Sequence, residues 1–256
     1  MAGVRIQELT GRDLMRIIVF SDVHGNFESL REVASEISRM EPELVVSLGD
    51  VVGYGARPGE CVDLVMKIAD INISGNHDLA VAGLIPFDRF NASARCSIDW
   101  TASRLTEGQI EYLKSSEPLF HNGKSLFAHA SPLSPLDWPY ITTLAQSREI
   151  MQYFEEKFIF IGHTHIPAVI SYDQRGRTRY LLDSPVEIRE DCRYLINAGS
   201  VGQPRDGINA ACLTLLDTGS GVIEQRRIKY DYRTSQEKII HAGLPEKLAN
   251  RLETGE

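Results

Sequence analysis

Cysteine is scarce in this sequence and unpatterned. Cys61, Cys96, Cys192 and Cys212 stand apart with no C-x-x-C spacing. That excludes a zinc knuckle or a disulfide framework as the organising device and fits reduced thiols in a cytoplasmic protein. No apolar run approaches the ~20 residues of a membrane span. Residues 1 to 14 carry Arg5, Glu8, Arg12 and Asp13 and no apolar stretch, so they read as an extension rather than a secretory signal. Linker tracts, charge blocks and repeats are missing too, and residues 15 to 256 are expected to form one domain ending in helices. Nor is there a basic excess. A net charge of −8 over 256 residues argues against a nucleic-acid binder. It leaves room for a small anionic substrate at a locally positive site.

What is present is an alternation of short apolar runs and helical patterns. Residues 16 to 20 read as a buried strand, and Phe27, Leu30, Val33 and Ile37 then recur at helical spacing. The helix should end at Glu41-Pro42, because the residue before proline is pushed out of the α region. Strand 44 to 48, a helix over 59 to 69 and strand 71 to 74 complete a β-α-β-α-β series, which implies parallel strands. Residues 79 to 117 read as helical, with Trp100 and Leu105 packed on the sheet. Strand 125 to 128, a proline-rich loop from Ser131 to Pro139, a helix over 143 to 156 and strand 158 to 161 follow. The remainder reads as hairpins over 166 to 182 and 210 to 230, a strand over 193 to 197, and two short helices broken at Pro245. An α/β core of two sheets, the second mostly antiparallel, accommodates this order.

Five of these runs stop and deliver the same kind of side chain. The strings are F-S-D-V-H-G-N from Phe20, L-G-D-V-V-G from Leu48, S-G-N-H-D from Ser74, H-A-S from His129 and G-H-T-H from Gly162. Ligands in open α/β sheets bind beyond the carboxyl ends of the strands. Asp22, His24, Asp50, Asn76, His77, His129, His163 and His165 all stand there, and they include five of the seven histidines. Singly, each has an ordinary structural explanation. Asp22 can cap a helix, Asp50 can make an Asx-turn, Asn76 can sit in a tight turn and His129 can be a satisfied core histidine. As a set they point to metal binding. Imidazole with carboxylate and no thiolate suits Mn, Fe, Ni or Zn rather than Ca or Mg. Seven ligand-type residues are too many for one tetrahedral ion and right for two ions sharing a carboxylate, a pair held ~3.5–4 Å apart in two-metal sites. Counting two divalent ions against two aspartates and a hydroxide leaves a positive surplus, suited to a phosphoryl substrate.

The order D-x-H, G-D, G-N-H-D, H and G-H-T-H resembles the calcineurin-like metallophosphoesterase superfamily, over about residues 17 to 217. The longer strings, with N-A-G-S-V-G-Q-P-R from Asn197, resemble its small prokaryotic phosphodiesterase branch. The resemblance implies a four-layer α-β-β-α sandwich with two mixed β-sheets. It implies Asp22, His24 and His165 on one metal, Asn76, His129 and His163 on the other, and Asp50 between them. It further implies in-line attack by a metal-bridging hydroxide on a phosphodiester or nucleotide-type phosphate, with His77 at the leaving oxygen. Protein Ser/Thr phosphatases of the superfamily read G-D-x-x-D-R at the second motif, where this chain has Gly53 and Tyr54. The usual orienting carboxylate for His77 and a phosphate-binding arginine are therefore absent there.

Outside the metal set, Asn26, Tyr54 and Arg205 are candidate substrate contacts, Arg205 toward a second phosphate. Asn26 is equally placed to cap the helix that follows it, and Arg205 to be a solvated loop residue. Tyr54, Trp138 and Tyr140 are candidates for an aromatic rim. His121 and His241 read as surface residues. The expected partner is a small phosphorylated substrate, with no membrane and no nucleic acid. The alternatives are phosphomonoesterase or protein phosphatase activity, and a non-catalytic scaffold of the same fold.

Overall fold

The computed structural model describes residues 16–88 and 90–256. The extension expected over residues 1 to 14 lies outside the described residues. Two six-stranded sheets stack face to face. The first holds β1 (Arg16–Phe20), β2 (Leu44–Ser47), β3 (Ile71–Asn72), β9 (Val186–Glu187), β11 (Ala211–Asp217) and β12 (Val222–Ile228), in the order β3-β2-β1-β11-β12-β9. The second holds β4 (Leu119–Asn122), β5 (Ser125–Ala128), β6 (Phe158–Ile161), β7 (Ala168–Asp173), β8 (Thr178–Leu181) and β10 (Cys192–Asn197), ordered β4-β5-β6-β10-β7-β8. Both are mixed. β1, β2 and β3 run parallel and β11 joins antiparallel, while β5, β6 and β10 run parallel between antiparallel edges.

Period-two alternation explains the layering. On β1, Ile18 and Phe20 face α1 (Phe27–Met40) and α2 (Pro58–Ile68), where they pack with Leu30, Val33, Cys61 and Val65. Ile17 and Val19 face the other way, onto Phe127, Phe160 and Ile196 of the second sheet. The Phe127 and Phe160 rings stack there at 5.1 Å and 7°. Beyond the second sheet, Leu126, Ile159 and Leu195 pack on Ile150 and Met151 of α6 (Leu144–Tyr153). This is the expected four-layer sandwich. Each fully buried side chain of this kind contributes roughly 1.5–3 kcal/mol.

Three local readings change. Residues 79 to 117 are not one helical stretch. α3 (Asn76–Val81) stops short, α4 (Ala92–Ala102) and α5 (Glu107–Lys114) follow, and residues 82–88 after α3 form a turn-rich segment containing Pro86. Trp100 packs not on a sheet but against the cluster of Tyr54, Ala94, Ile239, Leu244 and Leu248, which gathers α7 (Tyr232–His241) and α8 (Glu246–Thr254). The late hairpins are divided between the sheets: β7–β8 extends the second and β11–β12 completes the first. Glu41 does leave the α region before Pro42, but into left-handed geometry with φ 47°.

Candidate metal centre

The parallel strands β3, β2 and β1 of one sheet and β5 and β6 of the other end on the same rim, and their first residues beyond the sheet converge. Ligand-type atoms of Asp22, His24 and His165 lie within 4.8 Å of one another, and so do those of Asp50, His129 and His163. A third set, His24, Asp50 and His77, lies between them. Asn76 lines the same cavity. The loops that deliver these groups are tightly wound. Asp22 (φ 55°), His24 (48°), Asp50 (52°), His163 (66°) and His165 (61°) are all in left-handed geometry. Such positions cost of order 1–3 kcal/mol each and concentrate at functional sites. Gly75 and Gly162 make the close approach possible. A Cβ on Gly75 would stand 2.2 Å from Asp50 Oδ1, and one on Gly162 would stand 2.0 Å from Ser21 Oγ.

The hydrogen bonds divide each side chain into a fixed half and an inward half. Asp50 Oδ1 accepts from the His77 main-chain N–H at 2.8 Å, which leaves Oδ2 3.3 Å from His129 Nε2 and 3.7 Å from His24 Nε2. Asp22 Oδ2 accepts from the His163 N–H at 3.0 Å, and Oδ1 lies 3.2 Å from His165 Nε2. The Nδ1 atoms of His24, His129 and His165 face the main-chain oxygens of Val52 (3.1 Å), Leu48 (2.8 Å) and Gln203 (2.6 Å). A carbonyl only accepts, so each Nδ1 carries a proton and each Nε2 faces inward, able to offer its lone pair once any second proton has left, the arrangement common to metal-bound histidine. His24 Nε2 then meets His165 Nε2 at 3.2 Å, and His129 Nε2 meets His163 Nδ1 at 3.2 Å.

Lone pairs facing at that distance repel unless a cation or proton lies between them. Buried Asp22 Oδ1 and Asn76 Oδ1 have no hydrogen-bond partner among the described residues. An orphaned buried acceptor is costly, and a cation would satisfy it. The donor set, imidazole nitrogens with carboxylate and amide oxygens, therefore fits divalent metal binding.

Electrostatics agree. Burial alone raises a carboxyl pKa, but the surrounding histidines outweigh it and hold Asp22 and Asp50 below the carboxylate range. Burial pulls His24 and His165 down, and His163 to about 3. His129 goes the other way: burial opposes the charge, but Asp50 overrides it and pushes the imidazole up to about 9. His77 falls to about 4 through burial, against the pull of Asp50. Its Nδ1 has no partner among the described residues. Gly53 stands opposite, where a Cβ would be 2.6 Å from that nitrogen. The ring is instead packed by Tyr54 (4.5 Å between centroids) and Phe90 (5.0 Å).

The centre opens into a cavity of about 1100 Å³ whose lining includes Tyr54, Trp138, Tyr140 and Arg205. Tyr140 stacks on His163 at 4.3 Å. Asn26 takes the capping role. Its Nδ2 donates to Gly202 O at 2.8 Å and its Oδ1 accepts from Ser29 N and Ser235 Oγ, so it caps α1 and ties α7 down. It does not line the cavity, because its hydrogen-bonding capacity is spent inside the fold. His121 is exposed beside Glu156, and His241 is exposed on α7.

Sequence reasoning missed the bracing after β10. Asn197 Nδ2 donates to Gly162 O and Thr164 Oγ1, fixing the H-T-H loop, and Ser200 Oγ donates to Asp22 O. The string N-A-G-S was visible, but its geometry is set only when β10 pairs with β6.

Comparison with known proteins agrees with this architecture. Residues 15–221 match the model of the calcineurin-like phosphoesterase superfamily domain. An uncharacterized protein of Methanocaldococcus jannaschii is 37% identical over 248 residues, covering 93% of this chain and 98% of that one. The crystal structure of a metallophosphoesterase from Sphaerobacter thermophilus superposes with a TM-score of 0.83 at 35% identity, covering 95% of this chain and all of the other. A hypothetical protein from Pyrococcus horikoshii OT3 shares the fold at 18% identity, with a TM-score of 0.76 over 94% of this chain and 98% of that one. The chain belongs to the calcineurin-like phosphoesterase superfamily.

Proposed function

We propose that this protein is a dinuclear metal-dependent phosphoesterase acting on phosphodiester or nucleotide-type phosphates. Asp22, His24 and His165 hold one divalent ion, Asn76, His129 and His163 hold the other, and Asp50 bridges them. The observation that carries this reading is Asp50 Oδ2, which faces His24 and His129 while Oδ1 is tied to a main-chain amide. Mn, Fe, Ni and Zn suit the donors. When bound, such a pair supplies Lewis acidity and a water of lowered pKa.

The chain's own residues do the rest. The main-chain amides of His77 and His163 hold the two carboxylates in place, and the Val52, Leu48 and Gln203 carbonyls hold the imidazoles. His77 stands at the leaving oxygen. Glycine rather than a carboxylate stands beside its Nδ1 and burial outweighs the pull of Asp50, so it acts as a neutral N–H donor to the charge that develops there. The cavity, at about 1100 Å³, is far larger than a lone phosphate and favours an ester with bulky organic groups. The four free thiols suit a cytoplasmic location, and no described helix is long and apolar enough to cross a membrane.

The test is reconstitution of metal-free protein with Mn, Fe, Ni or Zn, each assayed against aryl phosphodiesters, aryl monoesters and dinucleoside polyphosphates. Diester or nucleotide hydrolysis that depends on the added ion is expected. Tight metal binding with no hydrolysis across the panel would return the scaffold reading.

A further inference from the structure

Gln203 has two tasks, and only one concerns the metal centre. Its main-chain oxygen accepts from His165 Nδ1. Its side-chain Oε1, in a residue 1% exposed, accepts at 2.9 Å from Arg205 Nη2 and at 2.9 Å from Arg251 Nη1. One neutral amide thus gathers two guanidinium groups, one from the loop after β10 and one from α8. Like charges brought together without a carboxylate between them repel, and such clusters are stable when an anion completes them.

Further observations point to a missing anion. Arg205 Nε is buried with no hydrogen-bond partner, and Arg205 forms no ion pair with a carboxylate among the described residues. Its main-chain N–H donates to His165 O at 3.3 Å, so the guanidinium is anchored directly beside the metal centre. A second cavity of about 280 Å³ is lined by Arg251 and Lys247, and it shares Tyr54 and Asn91 with the main one. The two therefore lie on either side of Tyr54 and Asn91, with Arg205 lining the first and Arg251 the second. Glu256 also lines this second cavity, exposed just past the end of α8, where its main-chain oxygen accepts from Arg251 Nε and leaves Nη1 facing Gln203. Burial and the neighbouring Arg205 press the Arg251 pKa downward and outweigh the opposing pull of Tyr54, Tyr140 and Glu256.

We propose that Arg205 and Arg251, gathered on the Gln203 amide, form a second anion subsite that receives a distal phosphate of the substrate. Resting on the phosphoesterase reading, this makes the preferred substrate one with phosphates in series, a polyphosphate ester rather than an isolated diester. The scissile phosphate lies at the metal centre, the next phosphates run past Tyr54, and the guanidiniums take the far charge by paired N–H donation. Arg251 is a specificity residue supplied by α8, at the far end of the chain from the metal motifs.

The test is calorimetric titration of the metal-loaded protein with inorganic orthophosphate and inorganic triphosphate, for the wild type, Arg251→Met and Arg251→Lys. Methionine keeps the packed stem and removes the charge; lysine restores the charge. Thermal midpoints check that each variant is folded. Triphosphate affinity is expected to fall at least tenfold in Arg251→Met and to recover in part in Arg251→Lys, with orthophosphate affinity within threefold throughout. Triphosphate binding unchanged in Arg251→Met, or both anions weakened equally, would overturn the subsite. Hydrolysis separates the two proposals. A wild type that binds triphosphate through Arg251 but cleaves no ester sinks the phosphoesterase reading alone. One that cleaves diesters with triphosphate binding indifferent to Arg251 sinks the subsite alone.

Discussion

In the cage, three imidazoles donate one ring nitrogen to main-chain carbonyls and two carboxylates each give one oxygen to a main-chain amide. At the mouth, Tyr54, Arg205 and the pair Trp138 and Tyr140 come from three loops, and Tyr140 is 51% exposed. The cage is over-determined: Asp22, His24, Asp50, His163 and His165 sit in left-handed backbone, and the side chains of all but His163 are tied to main-chain groups of neighbouring segments. The mouth is held mainly by ring stacking and by the one buried Gln203 amide. A preorganised cage suits a chemical step shared across a superfamily, and a loosely held mouth suits the choice among substrates. Substitution should therefore affect metal and turnover in one region and affinity in the other.

The most severe break is Asp50→Ala. It removes the oxygen that faces both His24 and His129, and metal content and hydrolysis should collapse together, by more than the ~10–100-fold typical of losing an outer partner; elemental analysis and kcat/KM read it. His77→Ala should separate the two, with kcat down by roughly 10²–10⁴-fold at unchanged metal content. Unchanged activity would remove His77 from the mechanism. Asn197→Ala touches no ligand atom yet frees the H-T-H loop, and metal affinity should drop by roughly 10–100-fold in a competition titration with a chelator.

The cage also carries a pH signature. In the metal-free protein His129 keeps its proton up to about pH 9, because Asp50 outweighs burial, whereas Asp22 and Asp50 are already ionised. A cation must displace that proton. Binding at pH 7 should release about one proton, and affinity should weaken about tenfold for each unit the pH falls. Calorimetry in buffers of different ionisation enthalpy measures this, and zero proton release would contradict the His129–Asp50 pairing. The smallest effect belongs to the mouth. Tyr140→Ala should raise KM for aryl or nucleotide esters by roughly two- to tenfold, the ~0.5–1.5 kcal/mol of a ring contact, with kcat and metal content preserved.

The same division decides what could be read from the sequence. Asp22, His24, Asp50, His129, His163 and His165 were legible because each follows an apolar strand directly, so one-dimensional position predicts three-dimensional place. Asn26 was ambiguous because a helix cap and a phosphate contact ask for the same side chain, and the cap won once Gly202 and Ser235 closed over it. Arg251 gave no signal. It lies on an amphipathic tail helix and meets Gln203 across 48 positions of sequence. Residues 82–88 were read as helix although Gly83 and Pro86 break it, and the cavity wall that Ile85, Pro86 and Asp88 form, with Phe90 against His77, went unseen. Trp100 was placed on the wrong partner because an aromatic on a helix does not declare which surface it covers. Packing between distant segments leaves little trace in local periodicity.

The most direct measurement is anomalous scattering from crystals of the metal-reconstituted protein, collected at the absorption edge of the added ion. The account predicts two peaks per chain flanking the Asp50 carboxylate, one among Asp22, His24 and His165 and the other among Asn76, His129 and His163. A single peak, no peak, or either imidazole of the H-T-H loop turned away from the ions would contradict it.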